Sequence, residues 1–151
     1  MNANELVDRA ICYLEYPAVK YTDPSKGSDK SGFDCSGFVL FLLRELNFPV
    51  PQEIRHVNEF YNSFGIHIHD EARMSGDLIF WSRKGTIPTH IGILVNDTYY
   101  IHSPGKTGRF VSIEEIKYEP IISKAEPKIY FKNPIGFKRL GVKDGRYLRL
   151  I

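Results

Sequence analysis

The feature that most constrains this chain is the stretch Asp34-Cys-Ser-Gly-Phe-Val-Leu-Phe-Leu-Leu43. Its last six residues are the longest unbroken apolar run in the sequence, far short of the ~20 that cross a membrane. Read as a helix over 35–46, the segment carries Phe38, Val39, Leu42, Leu43 and Leu46 as a stripe, and Leu40 and Phe41 widen it. A helix apolar on most sides is a buried one, so the rest of the chain must pack around it. Asp34 stands where an N-cap belongs, and Asn47 can close the far end.

The flanking segments supply the packing. Leu6, Val7, Ala10, Ile11 and Leu14 recur at helical spacing and predict a helix over 2–16, with Asn2 and Glu5 as a capping pair and Pro17 as its end. Residues 20–33 are dense in turn formers and read as a loop. A third helix is expected over 52–64, with Ile54, Val57, Tyr61 and Phe64 on one face and Gly65 as the stop. The character then changes: 77–82, 90–95, 98–102, 128–131 and 135–140 are short and rich in β-branched and aromatic residues, and 143–151 adds a candidate last strand. Asn96-Asp97 and Asp144-Gly145 are turn signals. Helices first and strands after predict one α+β domain over 1–151 with an antiparallel sheet. At 151 residues such a domain buries roughly 68–70% of its unfolded surface and needs no staple.

Composition narrows the function classes. Lys and Arg total 20 against 18 Asp and Glu, a net charge of +2; no nucleic-acid partner is expected from net charge. No secretory peptide or membrane-spanning segment is read, so membrane insertion is not expected. The chain is expected to be cytoplasmic or delivered by a non-classical, secretion-system or phage route. Two cysteines, Cys12 and Cys35, are too few for a disulfide scaffold. Cys12 falls on the apolar face of the first helix and is expected in the core. No C-x-x-C or H-E-x-x-H spacing occurs, so no metal and no cofactor are expected; His67 and His69 alternate with Ile66 and Ile68 as in a half-exposed strand.

Cys35 is the candidate nucleophile. At the first turn of a helix capped by Asp34 it meets the positive end of the helix dipole and unpaired N–H groups. That setting favours a thiolate and lowers the thiol pKa. The same N–H groups can hold an oxyanion, and Gly37 leaves room for a substrate backbone. The thiol wants an imidazole base. His90 starts one predicted strand and His102 ends the next, across the Asn96-Asp97 turn. A two-residue loop would put the two histidines on opposite faces. An odd loop or bulge pairs Val95 with Tyr99 and makes them diagonal neighbours on one face, within side-chain reach.

Four segments in order then resemble a known family: Phe33-Asp-Cys-Ser-Gly-Phe-Val39, Ser75-Gly-Asp-Leu-Ile-Phe80, Thr89-His-Ile-Gly-Ile-Leu94 and Tyr100-Ile-His-Ser103. Over about residues 5–140 the chain resembles the NlpC (p-sixty) papain-like cell-wall cysteine peptidases. The resemblance implies a papain-like α+β domain, the cysteine-bearing helix packed on an antiparallel sheet; the accessory wall-binding repeats common in the family are not read in this sequence, so no accessory domain is expected. It implies a triad of Cys35 as nucleophile, His90 as base and then acid, and His102 as the group that orients His90. Asp34, Ser36 and Tyr21 match substrate-side positions, and Asp77 looks structural. The family's Gly-Gly after the tyrosine is replaced by Thr22-Asp-Pro-Ser-Lys-Gly27, and its Pro-Arg-Ser by Arg55-His56-Val57. The implied substrate is a peptidoglycan stem peptide or muropeptide, cut between γ-D-glutamate and a diamino acid by a monomeric enzyme. The alternatives are an N-acetylmuramoyl amidase, another acyl hydrolase or transferase with the same triad, or an interaction module whose triad is idle.

Overall fold

The computed structural model describes residues 1–118, 133–143 and 147–149. Three helices come first: α1 (Ala3–Ile11), α2 (Cys35–Glu45) and α3 (Val57–Ser63), with a small hairpin, β1 (Ser28–Asp29) and β2 (Gly32–Phe33), just before α2. The strands β3 (Ile66–Ile68), β4 (Leu78–Trp81), β5 (His90–Leu94), β6 (Tyr99–His102), β7 (Ser112–Glu115) and β8 (Gly136–Arg139) form one antiparallel sheet in the order β3-β8-β4-β5-β6-β7. The strands β9 (Gly141–Lys143) and β10 (Tyr147–Arg149) pair separately. The fold is α+β, as the order of the sequence signals implies. No helix among the described residues is long and apolar enough to cross a membrane.

Helix α2 is the centre of the molecule. Phe38, Val39, Leu40, Leu42 and Leu43 are all buried, against α1, α3 and the inward residues Leu78, Phe80, Ile91, Ile93 and Ile101 of the sheet. Its far end closes as expected. Asn47 takes a left-handed φ of 57°, while Phe48 N–H donates to Leu43 O and Asn47 N–H to Arg44 O, the paired bonds of a Schellman cap. The alternate strand residues Ile79, Trp81, Leu94, Tyr100 and Phe137 form a smaller cluster on the opposite face.

Several expectations shift. Helix α1 keeps its Asn2 cap (Glu5 N–H to Asn2 Oδ1, 2.9 Å) but stops at Ile11 rather than running to 16. Residues beyond it turn to pair elsewhere: Glu15 N–H donates to Val111 O and Ala18 N–H to Arg109 O. Cys12, the C-cap of α1, is exposed and not core, because at helical spacing it lies on the side opposite the buried Leu6, Val7 and Ala10. Helix α3 starts at Val57 instead of 52, since Ile54 N–H closes a turn on Pro51 O and the Glu59 carboxylate accepts the N–H groups of Arg55 and His56. Strands β1, β2 and β7 carry no sequence signal of the kind used above. The candidate strand at 128–131 and the Asp144-Gly145 turn lie outside the described residues.

Candidate active site

Cys35 is the first residue of α2, and its turn is locked from behind. Asp34 Oδ1 accepts Gly37 N–H at 2.7 Å, the N-cap bond. Arg55 then grips Asp34 with both guanidinium nitrogens (Nη2–Oδ2 2.7 Å, Nη1–Oδ1 3.2 Å) and donates to Ser36 Oγ at 2.9 Å. Its remaining N–H groups bind the carbonyls of Pro24 and Lys26 in the preceding loop. Asp34, Ser36 and Arg55 are all buried. The first two, matched to substrate-side positions, hold the framework of the cysteine turn. Gly37 also has a different use from the one expected. A Cβ there would stand 1.9 Å from the Gly27 carbonyl oxygen, so its missing side chain admits the loop, not a substrate.

The histidines meet as the odd-loop argument requires. Ile93 pairs with Ile101 and Leu94 with Tyr100, and Val95 N–H donates to Tyr99 O at 2.9 Å. The loop is therefore 96–98. Asn96 Oδ1 fixes it by accepting the N–H groups of Thr98 and Tyr99, each at 2.8 Å. His90 and His102 fall on one face as diagonal neighbours, with Nε2 of His90 2.7 Å from Nδ1 of His102. Gly92, which this register places across from His102, makes the approach possible: a Cβ on it would lie 3.4 Å from His102 Cβ and 3.1 Å from the Tyr100 ring. Trp81 and Tyr100 pack on the two imidazoles. The thiol of Cys35 faces the backbone N–H groups of Ser36 and of Ile91, the residue after His90. Ser103, fully buried, donates its hydroxyl to Phe33 O at 2.5 Å and so ties the end of β6 to the start of the cysteine turn.

The electrostatics differ from the expectation for the thiol. Burial, reinforced by the Asp34 carboxylate, pushes Cys35 up to about 12, against the backbone N–H groups that pull it down. A helix N-terminus favours the anion, but desolvation here is the larger effect. Burial, then His102, holds His90 well below the ordinary histidine value. Burial thus acts on the Cys35 thiol and on the His90 imidazole in the same sense, against the charged form of each. Tyr21 is over a third exposed. Its hydroxyl lies 3.3 Å from His56 Nε2, and Arg55 Cζ lies 5.3 Å from its ring. His67 packs on Tyr61. Among the described residues no group of three or more His, Cys, Asp or Glu is placed to hold a metal. Asp77 is buried and binds Arg139 at 2.9 Å and Met74 N–H at 2.8 Å, a structural position.

A profile of the NlpC/P60 family matches residues 24–125. The chain belongs to the NlpC/P60 family. Murein DD-endopeptidase MepH of Escherichia coli (strain K12) is 32% identical over 97 residues, 59% of this chain and 32% of that protein. Gamma-D-glutamyl-L-lysine dipeptidyl-peptidase of Bacillus cereus (strain ATCC 10987 / NRS 248) is 27% identical over 105 residues, 68% of this chain and 28% of that protein. The crystal structure of the NlpC/p60 domain of peptidoglycan hydrolase SagA superposes with a TM-score of 0.61 at 27% identity, covering 77% of this chain and 91% of that one. The chain spans about a fifth to a half of the length of the curated relatives it matches. The structural residues that sequence reasoning missed are Gly92, Ser103 and Glu114, whose Oε2 lies 4.0 Å from Nε2 of His102. Ser103 and Gly92 lie inside the matched motifs; Glu114 lies in a polar segment with no motif.

Proposed function

We propose that this NlpC/P60 chain is a cysteine peptidase of peptidoglycan, with Cys35 as nucleophile, His90 as base and acid, and His102 as the residue that orients His90. The observation that carries the reading is the 2.7 Å contact between His90 Nε2 and His102 Nδ1, made one residue from the amide that faces the Cys35 thiol. That contact engages Nε2, and in this reading Nδ1 of His90 serves the thiol. The Cys35 proton passes to Nδ1 as Sγ attacks the substrate carbonyl carbon. Cys35 N–H, at the positive end of α2, stabilises the oxyanion; Gly105 borders it, since a Cβ there would stand only 3.8 Å from that nitrogen. The C–N bond then breaks, and His90 returns the proton to the leaving amine. Water attacks the thioester, His90 takes its proton, and the free thiol is restored. Acid–base help of this kind contributes about 10²–10⁴-fold and one oxyanion donor about 10²–10³-fold.

The substrate class rests on the relatives, whose names specify murein and γ-D-glutamyl bonds. We assign the bond between γ-D-glutamate and the diamino acid, with Tyr21, His56 and the face above Arg55 as the substrate-side wall. The test is incubation of the full chain with defined muropeptides, read by mass spectrometry. The wild type is expected to release the fragment ending in γ-D-glutamate, and Cys35→Ala none. Full turnover by Cys35→Ala overturns the reading, and a mass from cleavage at N-acetylmuramate reassigns the bond.

A second reading, a peptide-binding module with an idle thiol, is favoured by one observation: burial and Asp34 push the thiol up to about 12. It predicts muropeptide binding by calorimetry with no product from either protein.

A further inference from the structure

The two histidines are not the end of the polar chain. Strand β7 pairs with β6 so that Ser112 lies opposite His102 and Glu114 opposite Tyr100. Cross-strand partners share a face, so Glu114 is a diagonal neighbour of His102, just as His102 is of His90. Glu114 Oε2 lies 4.0 Å from His102 Nε2. Ser112 Oγ donates to the same oxygen at 2.9 Å and holds the carboxylate in place. Glu114 is half-exposed, while both histidines are buried.

A carboxylate only accepts, and a neutral imidazole has one donor and one acceptor. We propose that Glu114 is a positioning residue that fixes the tautomer of His102, and through it the nitrogen on which His90 accepts a proton. The chain of roles has one consistent solution. Glu114 accepts from Nε2–H of His102. Nδ1 of His102 is then an acceptor, so His90 must carry its proton on Nε2. Nδ1 of His90 is left with its lone pair toward Cys35. Reversing His102 reverses every bond, and His90 would then present N–H to the thiol and be unable to take its proton. The 4.0 Å spacing is longer than a hydrogen bond, and the contact tightens when substrate is bound. When His90 takes the thiol proton, the carboxylate stabilises the positive charge through His102.

This inference rests on the triad reading and is tested so that the two can fail separately. The groups facing Glu114 are His102 and Tyr100 from β6, and Ser112 and Lys117 from its own segment; among the described strands, β7 is the sheet edge. Glu114→Gln and Glu114→Ala are expected to lower kcat about tenfold, less than for a buried orienting carboxylate, with KM changed less than about twofold. Glu114 acts on His102 to favour its protonated form, against the larger effect of burial. Its loss should therefore move the acid limb of kcat/KM to lower pH. Glu114→Asp is expected to recover part of the rate. Nitrogen-15 NMR of the imidazoles gives a readout apart from activity: His102 should hold its proton on Nε2 in the wild type and in Cys35→Ala, and on Nδ1 to a measurable extent in Glu114→Ala. If Cys35→Ala turns over muropeptide, the triad reading fails. If Cys35→Ala is dead while Glu114→Ala keeps either the wild-type kcat or the wild-type tautomer, this inference alone is overturned.

Discussion

Arg55 shows how much of the site depends on one side chain away from the chemistry. It holds the Asp34 cap, the Ser36 hydroxyl and two loop carbonyls, and so joins the loop before the cysteine to the helix after it. Truncation leaves Asp34 buried and unpaired. Arg55→Ala is expected to cost about 3–5 kcal/mol in urea unfolding, followed by fluorescence of the single tryptophan, Trp81. Arg55→Lys should lie between, because an ammonium cannot make the two-pronged contact with Asp34. A stability change under 1 kcal/mol for the alanine variant, within the range of an exposed pair, would refute the role. At this scale the sequence was uneven. Cys35, His90 and His102 were legible as candidates from residue type and spacing, and the expected meeting of the two histidines is present at 2.7 Å. The bonds of Asp34 and Ser36 to Arg55 were not legible, since burial and a partner 21 positions from Asp34 have no local signal. For the thiol, the helix terminus that lowers its pKa is visible in sequence, and the burial that pushes it up is not.

Lys138 is the corresponding case among the elements. It sits on β8 and is buried, with Nζ donating to the carbonyls of Phe60 and Tyr61 in α3, so it ties the sheet to the helix. Burial holds it down at about 8, against an ordinary 10.5. Between those values the unfolded chain binds a proton that the folded chain does not, so this group makes stability rise with pH across the window. The wild type should therefore gain stability relative to Lys138→Met between about pH 8 and 10.5, measured by urea midpoints; a constant difference would refute it. Element by element, α2 and its two caps were legible because every determinant is local: Asp34, the apolar run and Asn47. The three-residue loop was legible because strand parity and two histidines leave one solution. Strand β7 was not, because Ser112-Ile-Glu-Glu115 is an edge strand with three exposed residues and lacks a burial pattern. Helix boundaries moved where a turn or a neighbouring segment took the backbone bonds, as at Glu15 and Ile54.

Taken whole, the molecule puts its helices and main core on one sheet face and its histidines on the other. The α+β class was legible from element order, but the sheet order was not. Strand β8 enters between β3 and β4, and nothing in its own residues states that neighbour. The placement has a global cost in acid. His90 and His102 are both held below the ordinary 6.5 by burial. Below that value the unfolded chain takes protons that the folded chain refuses, so stability falls as pH falls. The urea midpoint should drop between about pH 7 and 5, and a His90→Gln, His102→Gln double variant should show a shallower slope; equal slopes would refute the assignment.

The stacking of Trp81 against His90, with ring centroids 5.6 Å apart, has an optical consequence. Because no other indole exists in the chain, its emission comes from one spot beside the imidazole. An imidazolium quenches a neighbouring indole more than a neutral ring does. The protein therefore carries its own light source at the point where protonation matters, and the charge state of His90 can be followed by fluorescence without a label.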